Sequence, residues 1–341
     1  MNLESLIRPN ILKLKPYASA RHEYTGTGEV FLDANENPYE TGVNRYPDPL
    51  QQELKQRIST IKGISADSVF LGNGSDEAID LILRIFCTPG TDNIMVLPPT
   101  YGMYQVSADI ADVGVIKVRL TEDFQPDVQA IKSAITVNTK VIFLCSPNNP
   151  TGNLLNRSLM VEILDFFQGI VVVDEAYIDF CPEHTLLPLL KKYDHLIIMQ
   201  TLSKAWGMAA VRLGMAFASP QIISYLNKVK APYNINILTQ RFVLDRLGKE
   251  DTMKRQVDQL QAEKSKLMDA FKSMPEVVQI FPSDSNFLLV KCLHADEVYS
   301  RLIQKGIVVR NRSKEPGCEG CLRITVGTEQ ENKILLDNMK S

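Results

Sequence analysis

Residues 195–218 read H-L-I-I-M-Q-T-L-S-K-A-W-G-M-A-A-V-R-L-G-M-A-F-A, and the fold turns on them. Two apolar, strand-like runs, 195–199 and 213–218, flank a loop of small residues. Lys204 closes the first run and Arg212 opens the second. A lysine in such surroundings is costly unless it is paired or neutral. A long side chain can snorkel to the surface, but a strand end in an α/β sheet is a poor place for that. The other use is as a nucleophile or base with a lowered pKa.

Outward from this stretch the pattern repeats. Strand-like runs at 69–71, 93–97, 114–118, 141–145 and 170–173 alternate with helical patterns such as 75–86 and 158–167. Several runs are nearly continuous Val, Ile and Leu, as in strands covered on both faces. That alternation predicts an α/β fold with a mostly parallel sheet and sites at the strands' carboxyl ends. After Leu238 a helix is expected over 238–273. Strands follow at 278–281, 286–290, 307–309 and 321–326, with a helix after Ala295 and one at the end, giving a smaller α+β domain. The expected division is an arm at 1–45, a large domain at 46–238 and a small domain at 239–341. The arm should serve the small domain and a dimer contact. No repeat or low-complexity tract is evident.

The 341 residues suit two domains. The net charge of −3 gives no reason to expect a nucleic-acid partner. No apolar run reaches the roughly 18 residues of a membrane span, and no signal peptide is evident. A cytoplasmic placement without a membrane partner is expected. The six cysteines include one C-x-x-C, Cys318 and Cys321, without further ligands at zinc spacing. Free thiols and no metal are expected.

Three more motifs carry chemistry. L-G-N-G-S-D-E-A, 71–78, joins a strand to a helix start. Its glycines let backbone approach a ligand, and free N–H groups at a helix start bind phosphate. It also reads as a tight turn with Asp76 as a helix cap. C-S-P-N-N-P-T-G, 145–152, is a rigid turn; beyond that, an amide there can donate to a ligand oxygen. V-V-V-D-E-A-Y, 171–177, ends an apolar strand on Asp174. That carboxylate is a helix cap, a structural ion partner, or the mate of a ligand cation in the crevice, and Tyr177 can point the same way. Together they supply a lysine for a Schiff base, a carboxylate for a ring cation, donors for a ring hydroxyl and a phosphate cup with an arginine. That set describes a pyridoxal 5′-phosphate site.

The ordered motifs G-N-G-S-D-E, P-P-T-Y, S-P-N-N-P-T-G, D-E-A-Y, S-K-A-W-G and L-R-I-T-V-G-T resemble those of fold-type-I, aspartate-aminotransferase-like enzymes. More narrowly, the chain resembles the histidinol-phosphate aminotransferase family. That rests on Lys15-Pro16-Tyr17, Asn35-Glu36-Asn37-Pro38, Asn44-Arg45-Tyr46-Pro47, Tyr101-Gly102-Met103-Tyr104 and residues 320–328. The likeness runs over nearly the whole chain. One departure is Ala210, where the family commonly has glycine.

The resemblance implies roles for the matching positions. Lys204 forms the aldimine with the cofactor and then moves protons as general base and acid. Asp174 pairs with the ring nitrogen, Asn149 and Tyr177 donate to the ring oxygen, and Tyr101 stacks on the ring. Gly74, Ser75, Thr201, Ser203 and Arg212 face the phosphate, while Asp76 caps the helix or turns to a nearby donor. Tyr46 reaches the cofactor of a neighbouring subunit, which makes a homodimer with shared sites. Arg323 grips the substrate's anionic end, with Arg310 and Tyr17 on its phosphate side. The implied reaction is transamination between L-glutamate and imidazole-acetol phosphate, giving 2-oxoglutarate and L-histidinol phosphate. An aromatic amino-acid aminotransferase and a decarboxylase of the threonine-phosphate type share the scaffold and stay open.

Overall fold

The computed structural model describes residues 2–16 and 30–339. Tyr17, expected on the substrate's phosphate side, lies outside the described residues. The large sheet has seven strands: β1 (Val69–Asn73), β2 (Asn93–Val96), β3 (Gly114–Lys117), β4 (Thr139–Cys145), β5 (Ile170–Asp174), β6 (Leu196–Thr201) and β7 (Leu213–Phe217). Their order is β1-β7-β6-β5-β4-β2-β3. All neighbours run parallel except β7, which is antiparallel to both β1 and β6. The stretch between β6 and β7 carries only short turns, too little for the crossover a parallel return needs, so β7 folds back beside β6. The mostly parallel sheet expected from the sequence is what forms.

Alternation along each strand explains why the sheet is covered twice. Val171 and Val173 join a core on one face with Leu196, Ile198 and Leu71. Ile170 and Val172 join the other core with Ile197, Met199 and Phe70. Side chains on a strand alternate faces, so a continuous apolar run fills both cores. The strands' carboxyl ends are where polar residues take over: Asn73, Cys145, Asp174 and Thr201 terminate β1, β4, β5 and β6.

A second sheet contains β8 (Val277–Ile280), β9 (Phe287–Cys292), β10 (Arg310–Asn311) and β11 (Cys321–Thr325), all antiparallel, in the order β10-β11-β9-β8. Leu288, Val290, Leu322 and Ile324 pack on Leu267 and Phe271 of the helix Glu250–Lys272. The strand expected at 307–309 instead begins at Arg310, which pairs directly with Arg323.

The helix expected over 238–273 is two helices, Ile237–Leu247 and Glu250–Lys272, parted at Gly248 and Lys249. The halves serve different cores: Val243 and Leu247 sit on the large sheet, Leu267 and Phe271 on the small one. We propose that the domain boundary lies at this break. The first part of the arm also differs from expectation. Leu3, Ile7 and Ile11, on two short helical turns and the extended link between them, are buried in the large-domain core rather than in the small domain. Arg8 holds it there by donating to the Arg84 and Ile85 carbonyls.

Candidate active site

A cleft of about 260 Å³ opens where the carboxyl ends of β4, β5 and β6 meet the edge of the small sheet. Gly74, Ser75, Asp76, Tyr101, Asn149, Asp174, Tyr177, Thr201, Ser203, Lys204, Arg212, Arg310 and Arg323 all line it. One cavity therefore gathers every described residue proposed from sequence except Tyr46. Tyr46 stacks on Tyr233 with ring centroids 4.4 Å apart, in a separate shallow pocket.

Asp174 is the deepest of these groups, 2% exposed at the end of β5. Its carboxylate accepts from the Tyr104 hydroxyl at 2.7 Å and the Ala176 N–H at 3.0 Å. Burial pushes its pKa up to about 6, and these two donors oppose the rise. Among the described residues it has no ion pair within salt-bridge distance, so a buried carboxylate is presented without its cation.

The wall beside it comes from the two turns that follow β4 and β5. Asn149 Nδ2 lies 3.5 Å from the Tyr177 hydroxyl, and Asn149 Oδ1 accepts from Arg323 Nη1 at 2.5 Å. The neighbouring Asn148 fixes that turn, donating to the Pro99 carbonyl and to Thr151. Tyr177 is buried and packs edge-on against Phe287 of the small sheet at 5.1 Å, so the two domains meet there.

Lys204 stands in the turn after β6, its ammonium 5.5 Å from the centre of the Tyr177 ring. It is exposed and lines the cleft. Burial on the protein side, then the positive charge of Arg323, lower its pKa, while Asp174 pulls the other way. The amine therefore gives up its proton more readily than a surface lysine does.

Backbone geometry builds the opposite end. Gly74 has φ +81°, and a Cβ there would lie 2.6 Å from Arg212 Nη2. A Cβ on Gly214 would meet the Ser75 nitrogen at 2.1 Å. Both glycines allow β7 and its arginine to press against the start of the helix Ser75–Phe86. Asp76 does not cap that helix. It turns to donors, with Arg212 Nη2 at 3.5 Å and the Tyr101 hydroxyl at 3.2 Å. Thr201 donates to Ser203 at 3.0 Å, which places two hydroxyls beside this helix start.

Charge sums up the site. Lys204, Arg212, Arg310, Arg312 and Arg323 face the cleft against the carboxylates Asp76 and Asp174. The surplus is positive, and it lies at two ends: Arg212 by the helix start, and the three other arginines on the small sheet and the turn beyond β10. A ligand with two separated anionic groups fits that distribution.

Residues 25–339 match the family model for aminotransferases of class I and II. The chain belongs to that family. A histidinol-phosphate aminotransferase of Parabacteroides distasonis is 54% identical over 340 residues, covering 100% of this chain and 99% of the relative. The fold is that of a histidinol-phosphate aminotransferase from Clostridium acetobutylicum, with a TM-score of 0.81, 23% identity and coverage of 88% and 90% of the two chains. The Sinorhizobium meliloti histidinol-phosphate aminotransferase, solved in complex with pyridoxal 5′-phosphate, aligns with a TM-score of 0.79 at 21% identity over 86% and 82% of the chains.

In this class I and II aminotransferase, sequence reasoning missed two groups that line the cleft, Arg312 and Cys145, and one behind it, Tyr104. Tyr104 is fully buried, stacked on Phe143 at 4.6 Å, and holds Asp174. Arg312 lines the cleft two residues beyond Arg310. Cys145 ends β4 at the same depth as Asp174, its partner in register.

Proposed function

We propose that this aminotransferase exchanges an amino group between L-glutamate and imidazole-acetol phosphate, forming 2-oxoglutarate and L-histidinol phosphate for histidine biosynthesis. The observation that carries this reading is the full-length likeness to a relative of that name at 54% identity. The cleft supplies the groups the reaction asks for.

The residues present fit pyridoxal 5′-phosphate as cofactor. A buried carboxylate without a cation suits a protonated ring nitrogen, and the Gly74–Ser75 helix start with Arg212 suits the phosphate. Asp174 would hold the ring nitrogen, Asn149 and Tyr177 the ring oxygen, and Tyr101 would cover the ring. Thr201 and Ser203 would join Gly74, Ser75 and Arg212 at the phosphate. When bound, this cofactor supplies an electron sink and carries the amino group between two half-reactions.

The chain's own groups then do the rest. Asp174 stays charged once a cation sits beside it, because the pair offsets the burial that raised its pKa. Lys204 Nζ would take the proton from the substrate's reacting carbon as base and then deliver it as acid to complete the amino-group transfer, a role that needs the lowered pKa. Arg323, held by Asn149 and lying over the Phe287 ring at 5.3 Å, binds the anionic end of each substrate in turn. Arg310 faces it across the β10–β11 pair and extends the anion site. Glutamate offers a carboxylate where histidinol phosphate offers none, so one pocket serves both in alternation.

The functional unit we propose is a homodimer in the cytoplasm. Val43, Tyr46 and Leu238 are exposed apolar residues around the Tyr46–Tyr233 pocket, a surface suited to a second copy that would bring Tyr46 to its partner's cofactor. No described helix is long and apolar enough to cross a membrane.

Steady-state kcat/KM for L-histidinol phosphate, L-phenylalanine and O-phospho-L-threonine tests the substrate. A clear preference for L-histidinol phosphate is expected. Preference for phenylalanine, or CO2 release from phosphothreonine without 2-oxo acid formation, overturns the reading.

A further inference from the structure

Three guanidinium groups converge on one edge of the cleft. Arg310 and Arg323 are directly opposed across β10 and β11, so their side chains share a face. Arg312 follows Arg310 by two residues, and its N–H donates to the Cys321 carbonyl, extending the β10–β11 pairing by one bond. All three line the cavity. Residues two apart on an extended chain lie on one face, which accounts for the cluster.

These guanidiniums carry more charge than a carboxylate needs. Arg323 already has a partner in Asn149. Arg312 has one acidic neighbour, Glu315, at 3.5 Å, and its Nε is buried without a partner among the described residues. Arg323 has its pKa lowered by burial, with Arg312 and Arg310 adding to the effect. Like charges held together in this way are relieved by a multiply charged anion. A phosphate monoester, with about two negative charges and three acceptor oxygens, meets that need better than a carboxylate with one.

We infer that Arg312 is a specificity residue, which selects a phosphate monoester over a carboxylate at the Arg310–Arg323 edge. The inference rests on the proposed reaction and deepens it. Glutamate would be gripped through Arg323, and Arg312 would contribute chiefly when the dianion is bound. A purely structural Arg312, bracing the 312–315 turn through Glu315, is the competing role.

The two half-reactions, followed separately on the cofactor-loaded enzyme, distinguish these roles. In Arg312→Gln the KM for L-histidinol phosphate should rise about tenfold to a hundredfold, as for loss of a hydrogen-bonded charge pair. The KM for L-glutamate should rise far less. Arg312→Lys should recover part of the loss, because it keeps the charge without the fork. Inorganic phosphate, tested as a competitive inhibitor of the glutamate half-reaction, should lose at least about fivefold in affinity in Arg312→Gln. Equal losses for both substrates, or an unchanged KM for L-histidinol phosphate, overturn the assignment. If wild-type enzyme does not turn over L-histidinol phosphate, the proposed reaction itself fails, and that is read before any variant is made.

Discussion

The two walls of the cleft are built on opposite plans. The wall from the large sheet mixes both signs of charge and holds its carboxylates with donors: Asp174, deep at a strand end, has Tyr104 and Ala176, and Asp76, at a helix start, has Arg212 and Tyr101. The wall from the small sheet sets three arginines on a two-residue strand, its neighbour and the turn beyond, with Asn149 and Glu315 as the polar partners of Arg323 and Arg312. The first plan suits a group that stays in place, because preorganised partners cost no rearrangement when it binds. The second suits a site that accepts two substrates in turn. On the proposed reading, fixed chemistry would sit on the sheet core and exchangeable recognition on the edge.

Substitutions on the large-sheet wall should be the more damaging. Lys204→Ala should remove nearly all turnover, on the order of 10⁴-fold or more, as expected when a proton-transfer group and its attachment are lost together. Turnover by direct assay and the absorbance of the bound cofactor both report it, and retained transamination would refute the assignment. Asp174→Asn should leave a folded protein that binds cofactor but loses about 10²-fold to 10³-fold in kcat, through a weakened electron sink. An unchanged kcat would remove Asp174 from the ring nitrogen.

Gly214→Ala tests the seam between β7 and the helix start at Ser75. The added methyl would lie 2.1 Å from the Ser75 nitrogen, so a loss of about 2 kcal/mol in denaturant unfolding is expected, with weaker cofactor binding. Unchanged stability would mean that the seam gives freely.

The smallest effect is a pH shift. In the cofactor-free protein the Asp174 pKa is raised to about 6, so below that pH the carboxyl holds a proton that binding a cation must expel. Cofactor affinity should therefore fall as pH drops through about 6, and rise as it climbs above. Tyr104→Phe removes a donor that stabilises the charged form, so the midpoint should move up by about one unit. Asp174→Asn should flatten this dependence, and a midpoint indifferent to Tyr104 would show that the hydroxyl does not tune the carboxylate.

These contrasts follow what the sequence made legible. Strand-end residues were readable because each closes a continuous apolar run: Asp174 after Val171–Val173, Thr201 and Lys204 after the run ending at Met199. The turn at Gly74 was readable because glycine flanked a strand and a helix start. Tyr104 was not, because an aromatic on a short helix reads as core, and it is core; only its partner 70 residues away gives it a role. Asp76 was half readable, since its capping geometry was a local alternative and its partners Arg212 and Tyr101 are distant in sequence. Arg312 lies beyond a strand of two residues, too short to leave a period, and the apolar run before it suggested a strand three residues early. The break at Gly248 was hidden inside a polar-apolar pattern that continues on both sides, because each half faces a different core.

The central claim is that one cleft passes an amino group from L-glutamate to an imidazole-bearing phosphate monoester. The most direct test is the absorbance of the purified, cofactor-loaded protein under single-turnover conditions. L-glutamate and L-histidinol phosphate should each convert the resting spectrum to the same aminated form, while L-phenylalanine at equal concentration does so far more slowly. A spectrum that responds to L-glutamate and L-phenylalanine but stays unchanged with L-histidinol phosphate would contradict the account.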